Sequence, residues 1–261
     1  MPTRKIPQDR ALRLSLKGRI DLAKKHMESV VAHVIEVIEL NEANRIVFYS
    51  PALAGQIPTS FAANAFHQFS EALYRYEIVR LCALWDGFDL QKRNLPTVAA
   101  LVNDTAIIDE LVEETRRHWI TTGTHVMNTS EDRIEREAVR QAVEASERDF
   151  ADEQGAKARR DLLQTIARTE ETFKSPLHAA IANTRDKHLA HALVTTRRER
   201  SGVIPRMLPG HEGALLQTTM EIAERFFCWI NGKSFSFENS RSIARKNAEA
   251  LWWGCRFQVL R

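Results

Sequence analysis

Long stretches of helical periodicity, broken by few glycines and prolines, constrain this sequence more than any other feature. Only 10 of its 261 residues are glycine and 8 are proline, against average usages of roughly 7% and 5%. Turn-rich β-sandwiches and barrels need more of both residue types, so these folds are disfavoured. Apolar residues recur instead at steps of three and four, which is the spacing of one helix face. We therefore expect an all-α fold in which residues 1–261 form a single domain around one core.

The periodicity predicts helices over most of the chain. The second long helix carries two adjacent apolar stripes, which indicates that it contacts more than one neighbour. Ser175-Pro176 is a helix start signal, because serine suits the N-cap and proline the first turn. The segment 201–213 holds three glycines and two prolines, so it is predicted as a loop. The predicted helices cover residues 10–49, 60–88, two short segments after Pro96 and Asp104, 129–153, 156–173, 176–198, 214–230 and a last one from about 240, so that C-terminal helices occupy 214–257.

A long charged insertion, residues 129–173, interrupts the apolar pattern. Its first residues, Thr129 to Asp132, place hydroxyls and acids where the backbone N–H groups of a helix start need acceptors. Residues 131–172 carry a net charge of −4, from 12 acidic and 8 basic residues. The apolar stripe of the first helix in this segment is thin. We therefore expect that helix to project from the bundle or to lie on its surface.

Composition and charge assign the chain to broad classes. With 44% hydrophobic and 27% charged residues it is too apolar for a disordered chain. Its net charge of +3 fits a nucleic-acid binder and many metabolic enzymes equally well. The three cysteines lie far apart with no C-x-x-C pair, so neither a disulfide framework nor a thiolate zinc site is predicted. No apolar run approaches the ~18 residues of a membrane span, and we expect a cytoplasmic protein without a membrane segment or cofactor.

One short segment concentrates side chains suited to chemistry: Arg185-Asp186-Lys187-His188-Leu189-Ala190-His191. In an ideal α-helix Arg185, His188 and His191 form a slanted polar ridge, with Arg185 and His191 about 120° apart. Either the long arginine side chain reaches back toward the imidazole, or a second subunit completes the site. Asp186 falls near the apolar side of this helix and needs a partner, most simply an arginine or backbone donors.

An arginine and a histidine in one cleft suit phosphodiester cleavage without a metal. Histidine moves a proton near neutral pH, and arginine donates a planar fork of hydrogen bonds to a phosphate that gains charge. In RNA the 2′-hydroxyl is an internal nucleophile, so the protein needs none of its own. The neighbouring basic residues would hold the RNA backbone by screened attraction: Lys187, Arg197, Arg198 and Arg200.

The same residues also fit roles without phosphodiester chemistry, and these roles stay open. His188 and His191 are spaced to share a metal ion, although only two ligands are visible in this segment. The basic run from Arg197 to Arg200 also fits a solvated helix end whose cations complement the helix dipole. From residues alone, therefore, the chain is a helical protein whose chemistry depends on one segment.

That segment resembles the signature of HEPN domains (higher eukaryotes and prokaryotes nucleotide-binding). In the signature an arginine is followed directly by a polar residue and, a few residues on, by a histidine that a small residue precedes. Here five residues separate Arg185 from His191, Asp186 fills the polar place and Ala190 the small one.

A second stretch supports the resemblance. Residues 72–86, followed by Leu95-Pro96-Thr97, are similar to the central helix of AbiU-type abortive-infection HEPN proteins. The resemblance spans roughly residues 61–230. It implies a HEPN-like helical bundle, and many HEPN domains are homodimeric, metal-independent ribonucleases whose arginine–histidine pairs meet across the subunit interface.

The resemblance also implies roles for individual residues. His191 would be the acid and base, Arg185 the ligand of the phosphate and transition state, and Asp186 the residue that orients them. His188 is assigned from its own position and not from the resemblance: it lies between Arg185 and His191 on the helix, so we expect it to line the cleft. A cyclic phosphate at the end of the cleaved RNA is the expected product.

These roles imply a toxin or phage-defence effector with an RNA substrate, a second copy of the chain and, for a toxin, an antitoxin protein as partners. In HEPN toxins that a nucleotidyltransferase controls, a tyrosine two residues after the histidine is modified, and this sequence has Leu193 there. Two alternatives remain. One is a non-catalytic HEPN protein that binds nucleotides or a partner protein, and the other is a metal-dependent hydrolase that uses His188 and His191.

Overall fold

The computed structural model describes residues 14–121, 133–190 and 193–258. These ranges hold ten α-helices, one π-helical segment and no β-strand, which confirms the all-α class. The π-helical segment, Arg185–Ala190, directly follows the seventh helix. The α-helices are α1 Leu16–Val47, α2 Pro51–Ala54, α3 Phe61–Ala83, α4 Leu95–Val102, α5 Thr105–Thr121, α6 Arg133–Lys174, α7 Pro176–Thr184, α8 Arg197–Ser201, α9 His211–Asn231 and α10 Phe237–Trp252.

Side-chain caps explain where most of these helices begin. A cap oxygen accepts a hydrogen bond from a backbone N–H of the first turn, and such a cap typically stabilises a helix by about 1 kcal/mol. The predicted start at Ser175-Pro176 is confirmed, with the serine hydroxyl accepting from the His178 N–H at 3.1 Å. The capping residues of the described helices are Ser15, Ser50, Ser60, Asn94, Ser175, Thr196 and Ser236.

Helix α1 lies at the centre of the bundle, and α3, α4, α9 and α10 pack against it. Met27, Val30 and Val34 on its core face have no exposed surface. Trp85, which follows α3, is also buried, and its indole N–H donates to Thr219 Oγ1 of α9 at 2.8 Å. Burying one such large apolar side chain contributes roughly 1.5–3 kcal/mol, so these positions hold the helices around α1.

The predicted break between residues 153 and 156 is wrong, because α6 runs without interruption from Arg133 to Lys174. Gly155 lies inside it, where a Cβ would come within 2.8 Å of the Arg116 side chain of α5. The glycine therefore makes room for the Arg116 side chain and does not act as a helix breaker. The N-terminal part of α6 is largely exposed, while Ala158 and Leu162 of its second half are buried in the core. The predicted start signal at 129–132 lies outside the described residues.

After α3 the chain turns sharply, and this turn determines where the Asp86 side chain lies. The predicted helix over 60–88 ends at Ala83. The carbonyl of Leu84 accepts from the Leu95 N–H at 3.1 Å, and Asn94 Nδ2 donates to the carbonyl of Asp86 at 2.9 Å. These two bonds tie the end of α3 to the start of α4 and leave the Asp86 side chain at the surface of the bundle.

Elsewhere the predicted boundaries differ by a few residues. Helix α9 begins at His211, three residues before the predicted start, after a glycine with positive φ at position 210. Helix α10 begins at Phe237 and not near 240. Among the described helices, none combines the length and the apolar character that a membrane crossing requires.

Candidate functional site

The chain leaves the α-helical path where the candidate segment begins. A continuous helix over 176–198 was predicted, and this prediction is wrong beyond Thr184, because Arg185–Ala190 is π-helical. Thr184 Oγ1 donates back to the Ala180 carbonyl at 3.0 Å, a bond that often bends helices. Single π-turns within helices occur frequently at functional sites. The separation of 120° expected for an ideal α-helix therefore does not apply to this segment.

Hydrogen bonds join the two ends of the segment and explain why the helix stops. Thr196 Oγ1 donates to Asn183 Oδ1, and Asn183 Nδ2 donates to Glu199 Oε1 at 3.0 Å. Thr196 and Glu199 also form a capping box that starts α8. The side chains of residues 183, 196 and 199 thus close a loop around the whole candidate segment. We call these three residues the loop clamp.

Lys187 is part of the same network and not of the arginine site. Its Nζ lies 2.9 Å from Glu199 Oε1. The bonds donated by Lys187, by Asn183 and by the Thr196 backbone lower the pKa of Glu199 to about 2. Glu199 is therefore a carboxylate at any physiological pH, and it fixes the lysine to the loop clamp.

Arg185 is held between two carboxylates. Its Nη1 donates to Asp86 Oδ1 at 2.7 Å, and its Nε and Nη2 donate to Asp186 Oδ1 at 2.9 and 2.8 Å. The side chain is 20% exposed. Burial opposes its charge, but the bonds to both aspartates outweigh burial and raise the pKa of Arg185. Three of the five N–H donors of the guanidinium are used in these bonds, and the group is fixed at the bundle surface.

Two more cations extend this arrangement into a row of alternating charges. Lys92 Nζ lies 3.1 Å from Asp86 Oδ2, and Arg198 Nε lies 3.6 Å from Asp186 Oδ2. Burial opposes the charge of Asp86, yet the bonds from Arg185 and Lys92 lower its pKa. We call the five residues of this row the Arg185 cluster: Asp86, Lys92, Arg185, Asp186 and Arg198. It holds three positive and two negative groups, so it carries a net charge of +1.

The structure places the predicted site residues in three groups. Arg185, Asp186 and Arg198 lie together, and Asp186 has the arginine partners that its position required. Lys187 points to Glu199, and His188 is exposed. Of the three arginines of α8, Arg197 and Arg200 are exposed as well. His191 lies outside the described residues, so its predicted role stays a prediction.

Sequence reasoning missed Asp86, Lys92 and the loop clamp as parts of the site. A signal for Asp86 was present, because it directly follows the buried Leu84-Trp85 pair in the stretch that carries the family resemblance. A charged residue immediately after a buried aromatic marks the point where the chain reaches the surface. Lys92 and Glu199 gave no such signal, since their roles depend on partners distant in sequence.

The described residues offer no ready-made metal centre. Within 14–121, 133–190 and 193–258, no group of three or more histidine, cysteine, aspartate or glutamate side chains is arranged to hold an ion. The proposed pair of His188 and His191 includes a residue outside these ranges. The two-histidine hypothesis is therefore left to experiment.

The described bundle is all helical, and Arg185 of the segment that resembles the HEPN signature is bonded to Asp86, just after α3. The family model HEPN_AbiU2, described as AbiU2, matches residues 23–249. The chain therefore belongs to the AbiU2 family of abortive-infection HEPN proteins. No curated protein and no solved structure gives a significant match to it.

Proposed function

We propose that this chain is a metal-independent endoribonuclease that acts as a toxin or phage-defence effector. Its active site would be a composite of arginine and histidine at the interface of a homodimer. The observation that carries the proposal is the fixed guanidinium of Arg185. It lies at the surface, on a π-turn, in the segment that matches the HEPN signature.

In this proposal the substrate supplies the nucleophile. The imidazole of His191 takes the proton of the RNA 2′-hydroxyl, and the O2′ atom attacks the adjacent phosphorus. The P–O5′ bond breaks, and the leaving oxygen takes a proton from an imidazolium. The products are an RNA that ends in a 2′,3′-cyclic phosphate and a second RNA with a free 5′-hydroxyl. One histidine can perform both proton transfers, first as the imidazole that accepts a proton and then as the imidazolium that donates one. Alternatively, each subunit supplies one of two histidines.

Arg185 would stabilise the charge that builds on the phosphate oxygens. Its two N–H groups outside the aspartate bonds supply a donor fork. Asp86 and Asp186 keep the guanidinium from reorienting during the reaction, which is how preorganised donors lower a barrier. Asp186 is thus a positioning residue, and exposed His188 would line the cleft. Arg197 and Arg200 would hold the RNA backbone, whereas Lys187 is paired with Glu199 and Arg198 with Asp186.

A specific observation favours the second candidate, a non-catalytic HEPN protein that binds nucleotides or a partner. Arg185 is neutralised by two aspartates, so a phosphate must compete with carboxylates for the guanidinium. A binding protein would show saturable affinity for RNA or nucleotide that weakens steeply with salt. It would release no cleaved product.

Purified protein incubated with total RNA and a strong chelator separates these candidates. We expect wild-type protein to cut RNA, and His191→Ala and Arg185→Ala to lose about 100-fold or more of the rate. Because Arg185→Ala removes the arginine that two aspartates share, Arg185→Lys serves as a second variant that keeps the charge and removes the fork. Arg140→Ala on the exposed part of α6 is the matched control.

Each result has a defined meaning. Cleavage by His191→Ala at the wild-type rate would refute the assigned role. Loss of wild-type activity with the chelator, restored by a divalent metal, would favour the metal-dependent hydrolase. Binding without any product, in the wild-type protein, would leave the non-catalytic candidate.

A further inference from the structure

Helix α3 carries an apolar stripe that remains exposed. Its members recur at steps of four and three along the helix: Ala65, Phe69, Ala72, Tyr76 and Val79. The opposite stripe of the same helix, which includes Ile78 and Leu81, is buried in the core. The two adjacent stripes predicted from the sequence are a different set from this exposed row. Phe66 and Leu73 of the first predicted stripe pack against a small apolar cluster with Ile46 and Leu53, and the second predicted stripe lies in the main core. Phe69 and Tyr76 of the first predicted stripe stay exposed.

The N-terminal half of the exposed stripe continues into an apolar groove of about 660 Å³. The groove lies between α3 and the residues that follow α10. Ring centroids of Phe66 and Phe257 are 5.3 Å apart, and those of Phe69 and Trp252 are 6.2 Å apart. Phe61 begins α3 one turn before Ala65, which lines the groove. Stripe and groove form one continuous apolar surface, which we call the α3 face.

The α3 face is comparable in area to the largest apolar patch of a typical monomer. Phe61, Phe69, Tyr76 and Phe257 are 94%, 47%, 52% and 38% exposed. At about 200 Å² for each aromatic side chain, these four alone expose roughly 450 Å². Apolar patches on monomers reach about 300–600 Å² and are often functional. The same area is more than half of the roughly 800 Å² that each partner buries in a standard protein interface.

We propose that the α3 face is the surface on which a second copy of this chain docks through its own α3 face. Steps of four and three give the average repeat of 3.5 residues by which two helices pack side by side. Alanines alternate with larger side chains, so that two such helices can approach closely and interlock. A two-fold axis requires that the same patch serve both copies, and a single continuous stripe meets that requirement.

The charges beside the stripe are compatible with a symmetric contact. Arg75 is paired with Glu71 at 3.2 Å, and Arg80 is paired with Glu36 of α1. Each positive group that flanks the stripe is thus neutralised within its own chain. Two identical faces can therefore meet without an unpaired like charge at the edge of the contact.

The position of the stripe links this dimer to the candidate site. Val79 is its last large member, and Asp86 of the Arg185 cluster lies seven residues further along the chain. A two-fold axis along α3 brings the two Arg185 clusters to the same end of the dimer. This orientation, unlike the docking surface itself, rests on the proposed composite site. An antiparallel pairing of the two stripes would set Tyr76 against Phe69 of the other copy and separate the two clusters.

Charged substitutions on the exposed stripe test the surface. Phe69→Glu and Tyr76→Glu replace exposed side chains, so we expect folded proteins with unchanged helix content. Sedimentation should give a dimer for the wild type and a monomer for both variants at micromolar concentration. His67→Glu, an exposed position on the far side of the same helix, should stay dimeric. Variants that remain dimeric, or a wild type that is monomeric throughout, would overturn the proposal.

The same proteins separate this proposal from the proposed function. Monomeric variants that no longer cut RNA support both the surface and the composite site. Monomeric variants that cut RNA at the wild-type rate uphold the α3 face and refute the composite site.

Disulfide formation tests the orientation. Val79→Cys chains should cross-link to each other under mild oxidation, with His67→Cys and the wild type as controls. Cross-links that require a mixture of Tyr76→Cys and Phe69→Cys chains would establish the antiparallel pairing and overturn the parallel one.

Discussion

At the residue scale, Asp86 is the contact that fixes Arg185 from the neighbouring helix. Its carboxylate accepts from Arg185 Nη1 and lies 3.1 Å from Lys92. Asp86→Asn would keep the size of the side chain and remove the charge that holds the guanidinium. Because a displacement of about 1 Å can cost roughly 100-fold in rate, we expect RNA cleavage to fall by about that factor with little change in thermal stability. Lys92→Gln is the matched control, and it should retain most of the activity.

Single-turnover cleavage rates, with melting temperatures measured in parallel, would check this expectation. If Asp86→Asn cut RNA as fast as the wild type while Arg185→Lys was inactive, Asp86 would have no role in positioning.

Glu77 makes the folded state sensitive to pH. It is buried in α3, where burial, aided by Glu212, raises its pKa to about 7 against bonds from Asn41 and Asn44. A carboxyl whose pKa is raised on folding stabilises the protein fully below its unfolded value near 4.5. That contribution is lost as the pH rises from about 4.5 through 7. Keeping Glu77 ionised in the core above pH 7 therefore costs about 3 kcal/mol.

Glu77→Gln should remove this dependence. We expect its free energy of unfolding in urea to exceed that of the wild type at pH 8 by about 3 kcal/mol and to match it near pH 4. A constant difference between the two proteins over this range would show that Glu77 does not titrate as proposed.

At the scale of elements, the sequence predicts helices better than it predicts where they stop. The start at Ser175-Pro176 follows from local cap chemistry, and the structure agrees. The stop at Thr184 does not, because Asn183 is bonded to residues 13 and 16 positions away. Gly155 is the converse case, since its effect on α6 depends on Arg116 of another helix. Local patterns thus identified the elements and the candidate segment, while the geometry of the site required tertiary contacts.

The loop clamp offers a test at this scale. Asn183→Ala removes both bonds by which this buried side chain joins the ends of the candidate segment, at about 1 kcal/mol for each bond. We expect faster amide hydrogen exchange over residues 185–200, with exchange in α1 and α9 unchanged. Arg197→Ala, an exposed change in the same region, should leave the exchange rates as in the wild type. If residues 185–200 were as well protected from exchange in Asn183→Ala as in the wild type, the loop clamp would not be what holds this segment.

At the scale of the whole molecule, charge is divided between two regions. Residues 131–172, most of which form α6, sum to −4, while residues 185–206 sum to +4. A polyanion such as RNA should therefore approach the side of the bundle that carries α8 and avoid the exposed half of α6. Arg198 is engaged with Asp186, which leaves exposed Arg197 and Arg200 as the expected phosphate contacts on α8.

The salt dependence of RNA binding measures those contacts. For single strands the slope of log K against log salt changes by about 0.7 for each phosphate neutralised. In a His191→Ala background that prevents cleavage, the added double change Arg197→Ala/Arg200→Ala should reduce the slope by about 1.4 and weaken binding to all RNA sequences alike. The matched change Arg140→Ala/Arg148→Ala on α6 should leave the slope as it was, because those arginines lie in a net negative segment that a polyanion avoids. Fluorescence anisotropy between roughly 50 and 200 mM salt covers the range in which such slopes are large. An equal loss of slope in both double variants would mean that RNA binds across the whole surface, and α8 would then not guide the substrate to Arg185.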